Sequence, residues 1–307
     1  MKILFLNLIT VCIFFNMVEA KEYKLYYLGG QSNMEGLGHV KYLPDSINSS
    51  VSDVMIFHGN NSPDNTPVDG KGIWSELVPG HGDGFKSDGK KNMYSDRFGV
   101  ELTFAQTMKE LMPQYSIAII KYSRGGTSLC EEAAQGAGCW EPNYRGYEGI
   151  NQYDHFLATL INALSVRDID SDGEDDVLIP SGIVWMQGES DAAFTKEIAD
   201  QYEDNLRYLM ELIRAALRVD DLPVVIGLIT DSGQYEDGTV WDYGEIVQNA
   251  QISYAEKDCC AALVSSTKEY GYTDPWHYDS KGLLDLGHKF ALAMGKLNKR
   301  FNTFFNK

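Results

Sequence analysis

"YYLGGQSNMEG", residues 26–36, decides how the chain is read. Tyr26, Tyr27 and Leu28 are β-formers, and their run stops at Gly29-Gly30 just before a hydroxyl, Ser32, set between the amides of Gln31 and Asn33. A strand that ends in glycines and turns at once into a helix start aims backbone N–H groups at whatever lies above the serine. Ser32 is either a nucleophile raised on a strand end or an ordinary turn serine, and these eleven residues leave both readings open.

Working outward, similar apolar runs recur at 24–28, 53–57, 116–122, 181–186, 223–229 and 261–266, with the length and β-branched content of buried strands. Helical periods separate them. In 101–112, Leu102, Ala105, Met108 and Met112 share a face; in 155–164, Phe156, Leu157, Leu160, Ile161 and Leu164 do. Further amphipathic runs span about 197–218, 242–257 and 280–305. Strand alternating with helix predicts a single α/β domain, a flavodoxin-like three-layer α/β/α sandwich whose central sheet is mostly parallel. Such a sheet collects its chemistry at the carboxyl ends of its strands. Residues 58–97, rich in Gly, Asn, Asp and Pro, read as a long surface excursion over one sheet end.

Residues 1–20 read as an export signal: Lys2, a mostly apolar run from Ile3 to Val18, then Val18-Glu19-Ala20, with cleavage expected after Ala20. The run is short and interrupted for a membrane span, so no anchor is expected after cleavage. Residues 21–307 then form the domain, in a secreted, periplasmic or lumenal setting. The formal charge of −18 argues against nucleic acid and anionic membranes as partners. Of five cysteines, Cys12 leaves with the signal. Cys130, Cys139, Cys259 and Cys260 allow three pairings, of which Cys130 with Cys139 is preferred as a staple on an insertion beside a site loop. None has zinc spacing.

Four loops follow the strand signals. The first holds Ser32. The second, Ser123-Arg124-Gly125-Gly126-Thr127-Ser128, is a glycine loop whose N–H groups suit an oxyanion. In the third, Gln187 offers an amide donor, and Glu189 offers either a carboxylate for a base or a helix-start charge. The fourth, Tyr272 to Tyr278, holds His277 three residues after Asp274, a spacing that lets the carboxylate bond Nδ1 while Nε2 faces outward. Of the other histidines only His155 has an adjacent carboxylate, Asp154, and on a helix adjacent residues point apart.

With these loops in view, the chain resembles the SGNH-type hydrolases, and within them the sialate O-acetylesterase and carbohydrate esterase family 6 group. The resemblance rests on "GGQSNM" (29–34), "FGVELTFA" (98–105), "SRGGTS" (123–128), "WMQGESD" (185–191) and "DPWH" (274–277), in the family's order over roughly residues 23–300. It implies Ser32 as nucleophile, His277 as general base, Asp274 as the histidine's carboxylate and Glu189 as a second candidate for that role. It also implies oxyanion donors at the backbone of Ser32, at Gly125 or Gly126, and at the Gln187 side chain. The implied activity is a secreted serine esterase that removes O-acetyl groups from xylan-like polysaccharide or sialic acid through an acyl-enzyme, with no metal or organic cofactor. The chain lacks the G-x-S-x-G elbow of the α/β-hydrolases.

Asn33, Trp140 and Trp276 are taken as substrate contacts, with Trp74 and Tyr144 as further flat rings for sugar faces. Asp168, Asp170, Asp172 and Asp176 stand at calcium-loop spacing, but Ile179 occupies the twelfth position, so a solvated acidic turn explains them more simply. Two rival functions remain: a carbohydrate-binding relative without turnover, and a lysophospholipase or thioesterase of the same superfamily.

Overall fold

The computed structural model describes residues 20–47, 49–60, 68–146 and 150–305. The expected export signal therefore lies, apart from Ala20, outside the described residues. Seven strands make the central sheet: β1 (Glu22–Gly30), β2 (Val51–His58), β3 (Trp74–Leu77), β4 (Ser116–Ser123), β5 (Val177–Met186), β6 (Val224–Gly227) and β7 (Ala261–Val264). Their order is β7-β6-β5-β1-β4-β2-β3, and every neighbouring pair is parallel except the edge pair β2 and β3. The chain steps from β1 to one side, returns through β4 and then crosses to β5 on the other, so β1 lies at the switch point where loops diverge above the sheet.

Side-chain alternation along β1 sorts the helices. Tyr26 packs edge-to-face on Phe104 of α2 (Glu101–Leu111) and accepts a hydrogen bond from Asn298 of the last helix, which spans Ser280–Phe305. Its neighbour Tyr27 points the other way and meets Phe156 of α3 (Gln152–Ser165). The long pattern expected at 197–218 breaks at Gln201 into α4 (Lys196–Asp200) and α5 (Tyr202–Leu217), after a one-turn α1 (Ser32–Glu35) near the start of the chain; α6 (Gly244–Lys257) and α7 (Ser280–Phe305) complete the set. The three-layer α/β/α expectation holds, with one seven-stranded sheet, two short two-stranded pairs beside it and one main core cluster.

Two expectations need correcting. The buried stripe of α3 is Gln152, His155, Phe156, Thr159, Leu160 and Ala163, whereas Ile161 and Leu164 are exposed. Thr159 and His155 close the stripe, and polar residues there hid its true angle from a purely apolar count. Residues 58–97 are more than a surface excursion, because within them β3 extends the sheet edge and His81 and Phe85 are buried.

Beneath the site, a fully buried ion pair joins distant segments. Lys121 Nζ on β4 donates to Glu101 Oε2 at 2.7 Å, to the carbonyl of His81 at 2.7 Å and to the carbonyl of Glu35 at 3.0 Å. Glu101 Oε1 accepts the N–H of Gly99 at 2.9 Å. All three ammonium protons are thus used, which is the condition under which a buried charge is tolerable. Lys121→Met leaves Glu101 charged, dry and partly unpaired, and is expected to cost about 3–5 kcal/mol of unfolding free energy. Urea denaturation of wild type and variant checks it; a loss below about 1 kcal/mol would show that the pair does not organise this region.

Candidate active site

The carboxyl ends of β4, β1 and β5 are level, because Gly30 sits opposite Ser123 on one side and Met186 on the other. Gly30 has φ of +145°, and a Cβ there would lie 2.0 Å from the carbonyl oxygen of Met186, so no other residue fits this turn. The three loops leaving these strands, together with the loop before α7, surround a cavity of about 530 Å³. Ser32, Gly125, Gly126 and His277 all line it.

Ser32 opens α1, so its N–H belongs to the first turn, which lacks intrahelical acceptors. His277 is held by its own loop: Nδ1 lies 2.7 Å from Asp274 Oδ2, while Asp274 Oδ1 accepts the N–H groups of Trp276 at 2.8 Å and His277 at 2.9 Å. Burial pushes the Asp274 carboxyl up, but the bonds from the His277 ring and from these two N–H groups outweigh it and hold the group below its usual range. With Nδ1 committed to Asp274, Nε2 is the nitrogen available to a hydroxyl.

Asn33 connects the two loops. Its Nδ2 donates to Glu189 Oε1 at 2.9 Å and to the carbonyl of Trp276 at 3.2 Å, and its Oδ1 accepts the N–H of Tyr278 at 3.1 Å. The residues on both sides of His277 are therefore tied to the residue after Ser32. Asn33 is 2% exposed and its amide is engaged at both ends, so it positions the site instead of contacting substrate. Glu189 is equally buried, and its carboxyl is raised by desolvation against the opposing bond from Asn33. It orients Asn33 and leaves the histidine to Asp274.

Further expectations are revised by geometry. Both N–H bonds of the Gln187 amide run inward, to the carbonyl of Thr127 at 3.1 Å and to Asp191 Oδ2 at 2.7 Å, so this side chain is not aimed at an oxyanion. The N–H of Gly125 donates to Glu35 Oε2 at 2.7 Å, which leaves Gly126 as the glycine of that loop suited to the hole. Trp140 is 1% exposed, bonds Thr127 Oγ1 and packs on Tyr122 and Trp185, so it is core. Tyr144 is buried as well, and Trp74 donates to the carbonyl of Ala163 on α3. Trp276 does face the cavity, with its indole N–H on Tyr235.

Away from the cavity, all four described cysteine thiols are free, and the expected Cys130–Cys139 bond is absent; Cys130 Sγ instead donates to Glu132 at 2.8 Å. In the acidic turn, Asp168 accepts the N–H groups of Asp172 and Gly173, Asp176 accepts that of Ile169, and Asp170 pairs with Lys21. Asp168 and Asp176 thus cap their own turn, whereas Asp170 ties it to Lys21 and Tyr23.

Residues that the sequence did not single out complete the cavity: Glu35 and Asp83 on one wall, Phe194 and Trp241 on another. Glu35, one turn after Ser32, was the one with a local signal, since positions i and i+3 share a helix face. Its carboxyl is pushed up to about 7, first by burial and then by the charge of Asp83, against the bond from Gly125 and the charges of Lys121 and Arg124. Asp191, which fastens the second and third loops by accepting the N–H groups of Leu129 and Cys130, is raised to about 6 by burial despite those bonds.

A family model described as carbohydrate esterase, sialic acid-specific acetylesterase matches residues 22–296. Among solved structures, a protein from Arabidopsis thaliana is similar, with 19% identity, a TM-score of 0.63, and coverage of 90% of this chain and 98% of that one. XAC1771, described as a novel carbohydrate acetylesterase from Xanthomonas citri, shares 18% identity with a TM-score of 0.60, covering 90% of this chain and 57% of that one. NanS shares 14% identity with a TM-score of 0.58, covering 92% and 100%. At these identities the likeness shows the fold alone. Among curated proteins no sequence matches.

Asn33→Ala is expected to lower kcat about 10²-fold with KM nearly unchanged, since misplacement of a reacting group by about 1 Å costs that much. Steady-state kinetics on a chromogenic ester reads it; an unchanged kcat would remove Asn33 from the account. A second expectation concerns pH. Because the Glu35 pKa rises from 4.5 to about 7 on folding, the folded chain keeps a proton that the unfolded chain has lost, so stability falls as pH rises across that range. Glu35→Gln should lose less stability than wild type between about pH 5 and about pH 8, by on the order of 2–3 kcal/mol. Equal losses in denaturation at both pH values would show that Glu35 does not carry the shifted group.

Proposed function

The chain belongs to the carbohydrate esterase, sialic acid-specific acetylesterase family, and from that premise we propose that it hydrolyses sugar acetates through an acetyl-enzyme on Ser32. Membership makes it a carboxylic ester hydrolase whose chemistry is removal of O-acetyl groups from carbohydrate. The observation that carries the mechanism is the meeting of Ser32 and His277 in one cavity, with Asp274 on the far ring nitrogen.

In this reading His277 Nε2 takes the Ser32 proton as Oγ adds to the acetyl carbonyl. The negative charge that forms on the carbonyl oxygen is met by the N–H groups of Ser32 and Gly126, which are fixed before reaction and need no reorganisation. His277 passes its proton to the sugar oxygen, the C–O bond breaks, and deacetylated sugar leaves. Water then enters, gives a proton to His277 and attacks the acetyl group on Ser32; the bond from Oγ to the acetyl carbon breaks, His277 returns the proton to Oγ, and acetate departs. Asp274 fixes the ring tautomer and balances the imidazolium. Export by residues 1–20 is part of the same proposal and sets the enzyme among acetylated glycans outside the cytoplasm.

Ser32→Ala should reduce turnover of p-nitrophenyl acetate by at least about 10³-fold, as removal of a nucleophile does in comparable triads. Equal rates in wild type and variant would favour a carbohydrate binder or another nucleophile. In an acyl-length series acetyl esters should be the fastest; faster octanoyl turnover would favour a lysophospholipase or thioesterase.

A further inference from the structure

Hydrolysis as described uses only part of the cavity. Glu35 and Asp83 stand on one wall, and Phe194, Trp241 and Trp276 present rings on the others. Among the described residues, none of those lining the cavity is a lysine or an arginine. Lys121 and Arg124 are near enough to draw the Glu35 carboxyl downward, but neither lines the cavity, and Lys121 spends its three protons on Glu101 and on two carbonyls.

We infer that the sugar admitted beside Ser32 is uncharged, so that the site takes O-acetylated neutral glycans and rejects sugars that carry a carboxylate, sialic acid included. The inference rests on the proposed role of Ser32 and narrows the substrate class. Two carboxyl groups in a half-closed space are hydrogen-bond acceptors suited to sugar hydroxyls, which can donate to either oxygen. A substrate carboxylate entering the same space would lose hydration and meet, among the described residues that line it, no lysine or arginine to replace it. Glu35 already registers this environment, since burial and the charge of Asp83 together raise its own carboxyl to about 7. On the other walls, Trp276 is 42% exposed with its indole N–H bonded to Tyr235, and Phe194 is 39% exposed. Rigid, open aromatic faces suit the apolar face of a pyranose and contribute no charge preference.

The test is acetate release from three matched monoacetylated methyl glycosides: a glucoside, the corresponding glucuronide, and the methyl ester of that glucuronide. The expected order has the glucoside and the methyl ester at least about tenfold above the glucuronide in kcat/KM, in keeping with like charges meeting at low dielectric. Raising ionic strength from about 0.05 to about 0.5 M should narrow the gap, and so should Asp83→Asn. A glucuronide cleaved as fast as its methyl ester overturns the inference, and so does an acetylated sialoside cleaved faster than the glucoside. Failure to cleave any of the three also overturns it if p-nitrophenyl acetate is still hydrolysed through Ser32. If p-nitrophenyl acetate is untouched, or is cleaved equally by Ser32→Ala, the esterase reading itself has failed, and this inference falls with it.

Discussion

One side-chain amide holds the site together. Ser32 comes early in the chain and His277 close to its end, and nothing in the sheet alone brings them to one cavity. Asn33 does so by bonding the backbone on either side of His277 while Glu189 fixes which way its amide points. A buried network of this kind is worth having only when each member is satisfied, because an unmatched polar group in low dielectric costs more than a made bond returns. Asn33 meets that condition at both ends. Glu189 is the member whose carboxyl burial pushes up, and the bond from Asn33 opposes that shift.

The clamp works because the platform under it is level. Gly30 lets β1 approach β5 closely enough for the Ser32 turn to emerge beside the third loop, and Lys121 ties β4, α2 and the end of α1 from below. Asp191 performs the corresponding task between the second and third loops. The site therefore rests on three buried carboxylates, Glu101, Glu189 and Asp191, none of which touches the cavity. Glu35 joins the two roles: its carbonyl takes a bond from Lys121 and its carboxylate one from the Gly125 N–H, while with Asp83 it also lines the space where a sugar would lie.

Much of this was legible in the sequence, and what was not has physical reasons. Six of the seven sheet strands announce themselves as apolar, β-branched runs, because a strand covered on both faces must be apolar throughout. β3 escaped because it is a short antiparallel edge strand, one of whose faces needs no apolar side chain. The His277 and Asp274 pairing was readable because it is local, three residues on one loop. Gln187 and Trp140 read differently in the structure, and Gly126 is preferred to Gly125, because the direction in which a polar group faces depends on its partner: Asp191 and Thr127 take the Gln187 amide, Thr127 the Trp140 indole and Glu35 the Gly125 N–H, and spacing alone does not reveal those bonds. Asp83, Phe194 and Trp241 join the cavity by tertiary contact alone, and no periodicity marks them.

In the proposed mechanism one hydroxyl, at residue 32, is activated by one imidazole, at residue 277. Covalent labelling tests it most directly: a small organophosphorus ester is incubated with the full chain, and the adduct is located by peptide mass mapping. A single adduct is expected on the Ser32 peptide, formed at a rate that collapses in His277→Ala. A labelled, inactivated enzyme whose adduct sits on another residue, or labelling of Ser32 that proceeds as fast without His277, would contradict it.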